Sequence, residues 1–484
     1  MLQAPIAELD VAPGQVVEWR LRSTRTRAAD PTPTPGPAAP TAAPASVPAP
    51  VPAQRRKIAS YNQEKHFTTA QDGRTAGDPI SSYVAASFEI DGPLDRPALD
   101  AALHHFVRRH EVLRCEFRQL AGDLTCEPLG PDEVTLEPFD LGHVDCPEKI
   151  RTYLSESFER IDTLSWPLFV MGAVIRDTST TVYLAFDHLV SDGMSTPIAV
   201  HDIATAYEAC SRDRAAEFPE TGSYLTFGQE QRLLGRSIDA DDSRLGYWKT
   251  FMAHNGGFFP PFPLDLGVEP GRMYPTLNET DALLSAAAVD ALEARCLAAG
   301  GRPYMGVLAA VAVALRKEGG PDVYRGLMPV SERGRGSYAH AMGWFVNTLP
   351  IEFSVAGDDF TEVIGRVRAA STEMLSNIGV PFVKVWHLLA PEYASLRSWP
   401  YAVNFFSYLD FRKAPGAEHH TALKARKHIW ASSTNGICFW FHRNDTGLYV
   451  NSLYVETPQA RHTKAAFVRT LSATMTTMAD TGEF

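Results

Sequence analysis

The stretch Thr180 to Pro197, TTVYLAFDHLVSDGMSTP, sets a histidine, an aspartate four residues later and a glycine next to that aspartate: His188, Asp192 and Gly193. An imidazole held in one orientation at the mouth of a cleft is suited to general-base catalysis. A histidine behind a strand is also a common structural residue, and a His-x-x-x-Asp-Gly string alone is a weak signal. Ser191 sits in the same stretch, but no Gly-x-Ser-x-Gly elbow occurs anywhere in the chain, which argues against a serine nucleophile. No set of residues has the spacing of a metal site.

The neighbouring pattern says how such a histidine is held. Val182, Leu184 and Phe186 alternate with Thr181, Tyr183 and Ala185, the period of a half-buried strand, and the alternation stops at Asp187. Ile198, Val200, Ile203, Ala206 and Tyr207 then follow at helical spacing. His188, Asp192 and Gly193 therefore lie at a strand-to-helix junction. Leu168 to Ile175 forms a second strand, paired with the first in a hairpin, so the junction lies at the end of a sheet.

Size and composition bound the rest. The 484 residues are 45% hydrophobic and 21% charged, an ordinary globular composition in a chain long enough for two cores. A net charge of -12 opposes a nucleic-acid or anionic-membrane role. The six cysteines are scattered and read as reduced residues of a cytoplasmic protein. No secretory signal begins the chain, and the longest apolar run, Met305 to Leu315, suits a buried helix rather than a membrane span.

In chain order, residues 1–30 hold one possible strand, Val16 to Leu21, which either docks on the folded body or stays loose; docking is favoured because Val17 and Trp19 would otherwise be exposed together. Residues 31–53 form a Pro/Ala-rich linker. A first α/β unit runs over 54–235, with a strand at Ser82 to Ile90, a helix bearing Leu99, Leu103, Phe106 and Val107 on one face, and a strand marked by Leu113, Cys115 and Phe117. A second unit runs over 236–484. It contains helices after Ser285, at Met305 to Leu315 and at Phe360 to Ser376, and strands at Val323 to Val330, Ala402 to Tyr408 and Gly447 to Tyr454. The loop HNGGFFPPFPLDLG, from His254 to Gly267, fits neither period and is either a lid or crossover or a cover over apolar surface.

The order of motifs SYNQEKHF (60–67), RRHEVLRCEF (108–117), FDHLVSDG (186–193), SYLTFGQEQ (223–231), VSERGRGSYAHAMGWFVNTLP (330–350), VPF (380–382) and VNFFSYLD (403–410) resembles that of the condensation-domain superfamily. These are acyltransferases related to chloramphenicol acetyltransferase and to nonribosomal peptide condensation domains. The match covers nearly everything after the linker. It is most similar to the stand-alone polyketide-associated (Pap) acyltransferases of actinobacteria, through the VVEWR segment, the HNGGFFPPFPLDLG loop and Asp187 where condensation domains usually carry a first histidine.

The resemblance implies an α/β fold of two chloramphenicol-acetyltransferase-like subdomains in a V-shaped pseudo-dimer with a central tunnel. It implies His188 as general base, Asp192 paired with Arg333 to lock the loop, and no bound cofactor. Gly193 would permit a sharp turn or close substrate approach, and Trp344 and Asn347 are candidates for the tunnel lining, with core packing the alternative. The donor would be an acyl thioester on coenzyme A or on a carrier protein's phosphopantetheine, and the acceptor a small-molecule hydroxyl or amine. The product would belong to polyketide, lipid or other secondary-metabolite biosynthesis, made by a cytoplasmic monomer. A peptide-bond-forming condensation enzyme and a non-catalytic recruitment module are the alternatives, the latter disfavoured by the retained histidine.

Overall fold

The computed structural model describes residues 1–24, 56–334, 337–357, 359–391 and 403–484. The expected linker at 31–53 lies outside the described residues, as does Ala402.

The first half is built on a seven-stranded sheet. Its centre is the strand Ser179–Phe186, which pairs antiparallel with Ser82–Asp91 on one side and Phe169–Ile175 on the other. The N-terminal strand runs over Gly14–Ser23, longer than its apolar pattern, because Val17 and Trp19 are buried while Arg22 and Ser23 reach the surface. It is sandwiched between Phe169–Ile175 and Val134–Val144, so it is an interior strand of the sheet. Trp19 also donates its indole N–H to Asp100 at 2.6 Å.

Two helices cover the face beneath the His188 junction. Arg96–Arg109 starts at an Asp95 cap and buries Leu99, Leu103, Phe106 and Val107, the stripe read from its spacing. Ser195–Cys210 follows the junction and packs on it, burying Ile198, Val200 and Ile203. The Leu113–Phe117 stretch divides into a short 3₁₀ turn, Glu111–Arg114, and a strand, Cys115–Leu120.

The second half has its own five-stranded sheet and core, with Pro303–Lys317 as its most buried helix. Phe360–Ser376 forms as its spacing predicts, and the strand expected at Ala402 to Tyr408 runs over Phe406–Asp410. The Val323–Ser331 and Val346–Ser354 strands pair with each other. In the His254 to Gly267 loop, Phe259 and Leu266 are buried in the second core, and Phe259 packs against Trp248, Phe382 and Trp386. That loop is a cover over apolar surface.

The halves are not separate beads on a string. Strand Arg426–Ala431 belongs in sequence to the second half yet pairs with Ser82–Asp91 in the first sheet, and the next residues, Ser433–Thr434, join the second sheet. Ala341, Met342 and Phe345 likewise pack in the first-half core. A cut at residue 235 thus leaves two arms of the second half inside the first.

Candidate active site

A cavity of about 260 Å³ lies between the halves, at the end of the Ser179–Phe186 strand. Its wall draws on both: Asn62, His66 and His188 from the first half, and Thr348, Val383 and Trp440 from the second. The two arms described above supply Trp344 and Lys427.

His188 stands two residues beyond the end of the strand and lines this space. Its Nδ1 lies 2.9 Å from the Ser191 carbonyl oxygen, which only accepts, so Nδ1 carries the proton and donates it. Nε2 is then an unprotonated acceptor, and no protein group among the described residues bonds to it. Trp344 packs on the ring at 4.3 Å between centroids and fixes its plane. Burial first, and the neighbouring His66 second, hold the His188 imidazole down to about 4, against the opposing pull of Asp187, the Ser191 carbonyl and Asp192. At neutral pH the ring is uncharged and free to take a proton.

The loop under His188 is fastened by Asp192 and Arg333. Arg333 Nη2 donates to Asp192 Oδ1 at 2.7 Å, and both side chains are buried. The contact is a single bond rather than a two-pronged fork, because Asp192 Oδ2 accepts from the Phe345 N–H at 3.1 Å. Asp192 Oδ1 also accepts from the N–H groups of Met194 and Ser195 in the turn that leads into the next helix. Arg333 Nη1 donates to the carbonyls of Tyr338 and Ala341, and Nη2 also donates to Gly343. One ion pair therefore ties the His188 loop to the Tyr338–Phe345 arm that carries Trp344.

The alternatives left open at Gly193 and Asn347 narrow here. Gly193 has no left-handed backbone; a side chain there would press on the ends of Lys427 and Leu409, at 3.1 and 3.2 Å, so the glycine keeps room beside those groups. Asn347 does not line the cavity. Its amide donates to the Ile378 and Val380 carbonyls and its oxygen accepts from the Phe382 N–H, so it pins the turn before helix Phe382–Leu389. Ser191 is buried, and its hydroxyl is spent on the Asp187 carbonyl at 2.9 Å.

His66 and Asp187 form a group that sequence reading did not assemble. His66 comes from helix Tyr61–Thr75, capped by Ser60, and its Nε2 lies 3.1 Å from Asp187 Oδ1. Asp187 is fully buried and also accepts from the Thr163 hydroxyl at 2.6 Å and the Leu189 N–H at 2.7 Å. Burial works to raise the Asp187 carboxyl, but His66, Thr163 and Leu189 together hold it below the usual carboxylate range. The His66 ring lies 6.2 Å from that of His188 and 5.8 Å from Trp344.

Among the described residues no single helix is long and apolar enough to cross a membrane. Residues 63–414 match the family model described as Condensation domain. The acyltransferase PapA1 of Mycobacterium tuberculosis (strain CDC 1551 / Oshkosh), titled 2'-acyl-2-O-sulfo-trehalose (hydroxy)phthioceranyltransferase, is 27% identical over 410 residues, covering 83% of this chain and 74% of that one. Acyltransferase PapA3 of the same strain is 26% identical over 434 residues, 88% of this chain and 89% of that one. The solved structure of a PapA2 acyl transferase superposes with a TM-score of 0.85 at 21% identity, over 99% of this chain and 100% of that one. With the family match spanning most of its length and these relatives beside it, the chain belongs to the condensation-domain family, as an acyltransferase similar to the Pap proteins.

Proposed function

We propose that the protein moves an acyl group from a thioester, on coenzyme A or a carrier protein's phosphopantetheine, to a hydroxyl of a small acceptor, with His188 as the general base. The observation that carries this reading is the His188 ring: Nδ1 is committed to Ser191, and Nε2 is bare toward a cavity shared by both halves. Donor and acceptor would meet there from opposite sides.

In the reaction, the acceptor oxygen attacks the thioester carbonyl while His188 Nε2 takes its proton. The tetrahedral intermediate collapses, the carbon–sulfur bond breaks, and the imidazolium returns the proton to the thiolate. An ester and a free thiol result, and no acyl-enzyme is formed. General-base catalysis of this kind contributes about 10²- to 10⁴-fold, and holding two substrates in line supplies much of the remainder. Asp192 and Arg333 act as positioning residues, since they fasten the loop that carries His188 and the Asp192 carboxylate is spent on Arg333 and backbone N–H groups. His66, held by Asp187, borders the same space.

Ester formation on a sugar-like hydroxyl is favoured over amide formation by the trehalose named in the PapA1 title. Asp187 in place of a first histidine points the same way. A cytoplasmic monomer fits six unpaired cysteines and large apolar side chains exposed at scattered positions such as Leu120, Leu297 and Leu375.

The test is incubation of wild type and His188→Gln with acyl-coenzyme A and a panel of sugars, alcohols and amines, following thiol release and product mass. Wild type is expected to acylate a hydroxyl, with turnover falling at least a hundredfold in the variant. Equal turnover by both proteins removes His188 from the role of base.

A further inference from the structure

The cavity wall includes a buried cation, Lys427, that the acyl transfer does not use. Lys427, on the strand Arg426–Ala431, is 2% exposed, yet it lines the cavity, and its ammonium reaches the place where a side chain at Gly193, another lining residue, would stand. No hydrogen bond or ion pair reaches its Nζ among the described residues. Its closest aromatic neighbour, Phe411, has its ring centroid 5.9 Å away. The nearest carboxylate, Asp192, is already engaged by Arg333, Phe345, Met194 and Ser195.

Burying an ammonium without a counter-charge is costly, and the lysine shows it: burial brings Lys427 down to about 8 although Asp192 pulls the other way. Lys65 lines the same wall, with its ammonium over the Trp386 ring. The wall thus carries two ammonium groups, and its single carboxylate is neutralised by Arg333. In a chain of net charge -12, this is a local reversal of sign.

We propose that Lys427 is the binding site for an anionic substituent, a sulfate or phosphate ester, carried by the acceptor. The proposal rests on the acyl-transfer reading and refines its substrate class. Position favours the acceptor over the donor. Lys427 adjoins Gly193 on the His188 loop, whereas the phosphates of coenzyme A or of a carrier arm lie at the far end of the pantetheine chain when its thioester is at His188. An anion meeting Lys427 exchanges water for a charge-assisted bond in a dry site, where such bonds are strong.

The experiment compares binding of trehalose 2-sulfate, unsulfated trehalose and inorganic sulfate by calorimetry to wild type, Lys427→Met, Lys427→Arg and His188→Gln, each first checked by thermal melting. Wild type and His188→Gln are expected to bind the sulfated sugar at least tenfold more tightly than the neutral one. Lys427→Met should abolish the difference, and Lys427→Arg should keep part of it. Because binding is read without turnover, the result stands apart from the fate of His188 as base. Absence of discrimination in wild type, or its survival in a folded Lys427→Met protein, overturns the proposal. So does an affinity loss in Lys427→Met for acyl-coenzyme A that is not seen with acyl-pantetheine, which would move the anion to the donor. An equal fall in turnover with sulfated and neutral acceptors, without a change in binding, would make Lys427 a stabiliser of the reacting carbonyl instead and also overturn it.

Discussion

His66 and Asp187 meet across 121 positions of sequence, the imidazole Nε2 donating to a carboxylate that is wholly buried beside the His188 ring. The contact ties helix Tyr61–Thr75 to the end of the central strand, one residue before the proposed base. Its removal should therefore be felt at His188. Asp187→Asn is expected to cost about 1.5–3 kcal/mol of stability, the usual worth of a buried bond to a charged group. His66→Gln should cost less, and the double variant should fall short of the sum by at least 0.5 kcal/mol or so, as contacting residues do. Urea melts of the four proteins measure this, and strict additivity would show that the pair does not act as a unit.

Arg333→Ala leaves the buried Asp192 carboxylate without the cation hydrogen-bonded to it, a change that typically costs about 3–5 kcal/mol. Since Arg333 also fastens the Trp344 arm, turnover should fall together with stability. Arg333→Lys should recover part of both, because the lysine replaces the charge without the fan of donors. A normally stable, fully active Arg333→Ala protein would refute the locking role.

The depressed His188 sets the shape of the pH–rate profile. With the ring held at about 4, the base stays unprotonated throughout the mildly acidic range. Short assays between pH 5 and 8 should show no acid limb near the ordinary histidine value of about 6.5. A limb centred there would mean that a group other than His188 limits the rate.

Stability should fall in the same range in which rate holds. His188, His420 and His428 are lowered to about 4 and His442 to about 3, chiefly by burial. Between those values and about 6.5 the unfolded chain binds protons that the folded one does not, so stability rises with pH and is lost as pH drops through that window. Fully buried His428 and His442 should each contribute about 1.4 kcal/mol per pH unit within it. Melting temperatures at pH 7, 6 and 5 check the slope. His428→Gln, which can keep a bond to the Ala4 carbonyl or Ser87, should flatten it.

Trp19→Ala should destabilise the first half by about 3–5 kcal/mol, since a fully packed indole is replaced by a void. The partner Asp100 would also lose its donor. A change below about 1 kcal/mol in denaturant melts would mean that the N-terminal strand contributes little to the sheet it occupies.

What could be read from the residues follows the reach of each signal. The Thr181–Phe186 alternation and the helical spacing after it are local, and they located His188 two residues past a strand end. The docking of Val17 and Trp19 followed from exposure alone, although the partner strand Val134–Val144 alternates too weakly to announce itself. His66 was illegible because helix Tyr61–Thr75 buries Gln63 and Lys65 alongside Tyr61 and Phe67, so no apolar stripe marks its inner face. Lys427 was hidden for a similar reason: RKHIWA buries a lysine and a histidine where an apolar alternation would be sought. For Asn347 the sequence left cavity lining and core packing both open, and only the fold shows its amide consumed by the Ile378–Phe382 turn.

The Arg426–Ala431 strand has a mechanical consequence. Because it is laced into the first sheet along its whole length while its neighbours are anchored in the second, the lobes cannot swing apart as a clamshell without unzipping backbone bonds. Entry and exit of the acyl substrate must then be accommodated by rotating side chains at the rim, on a frame that stays shut.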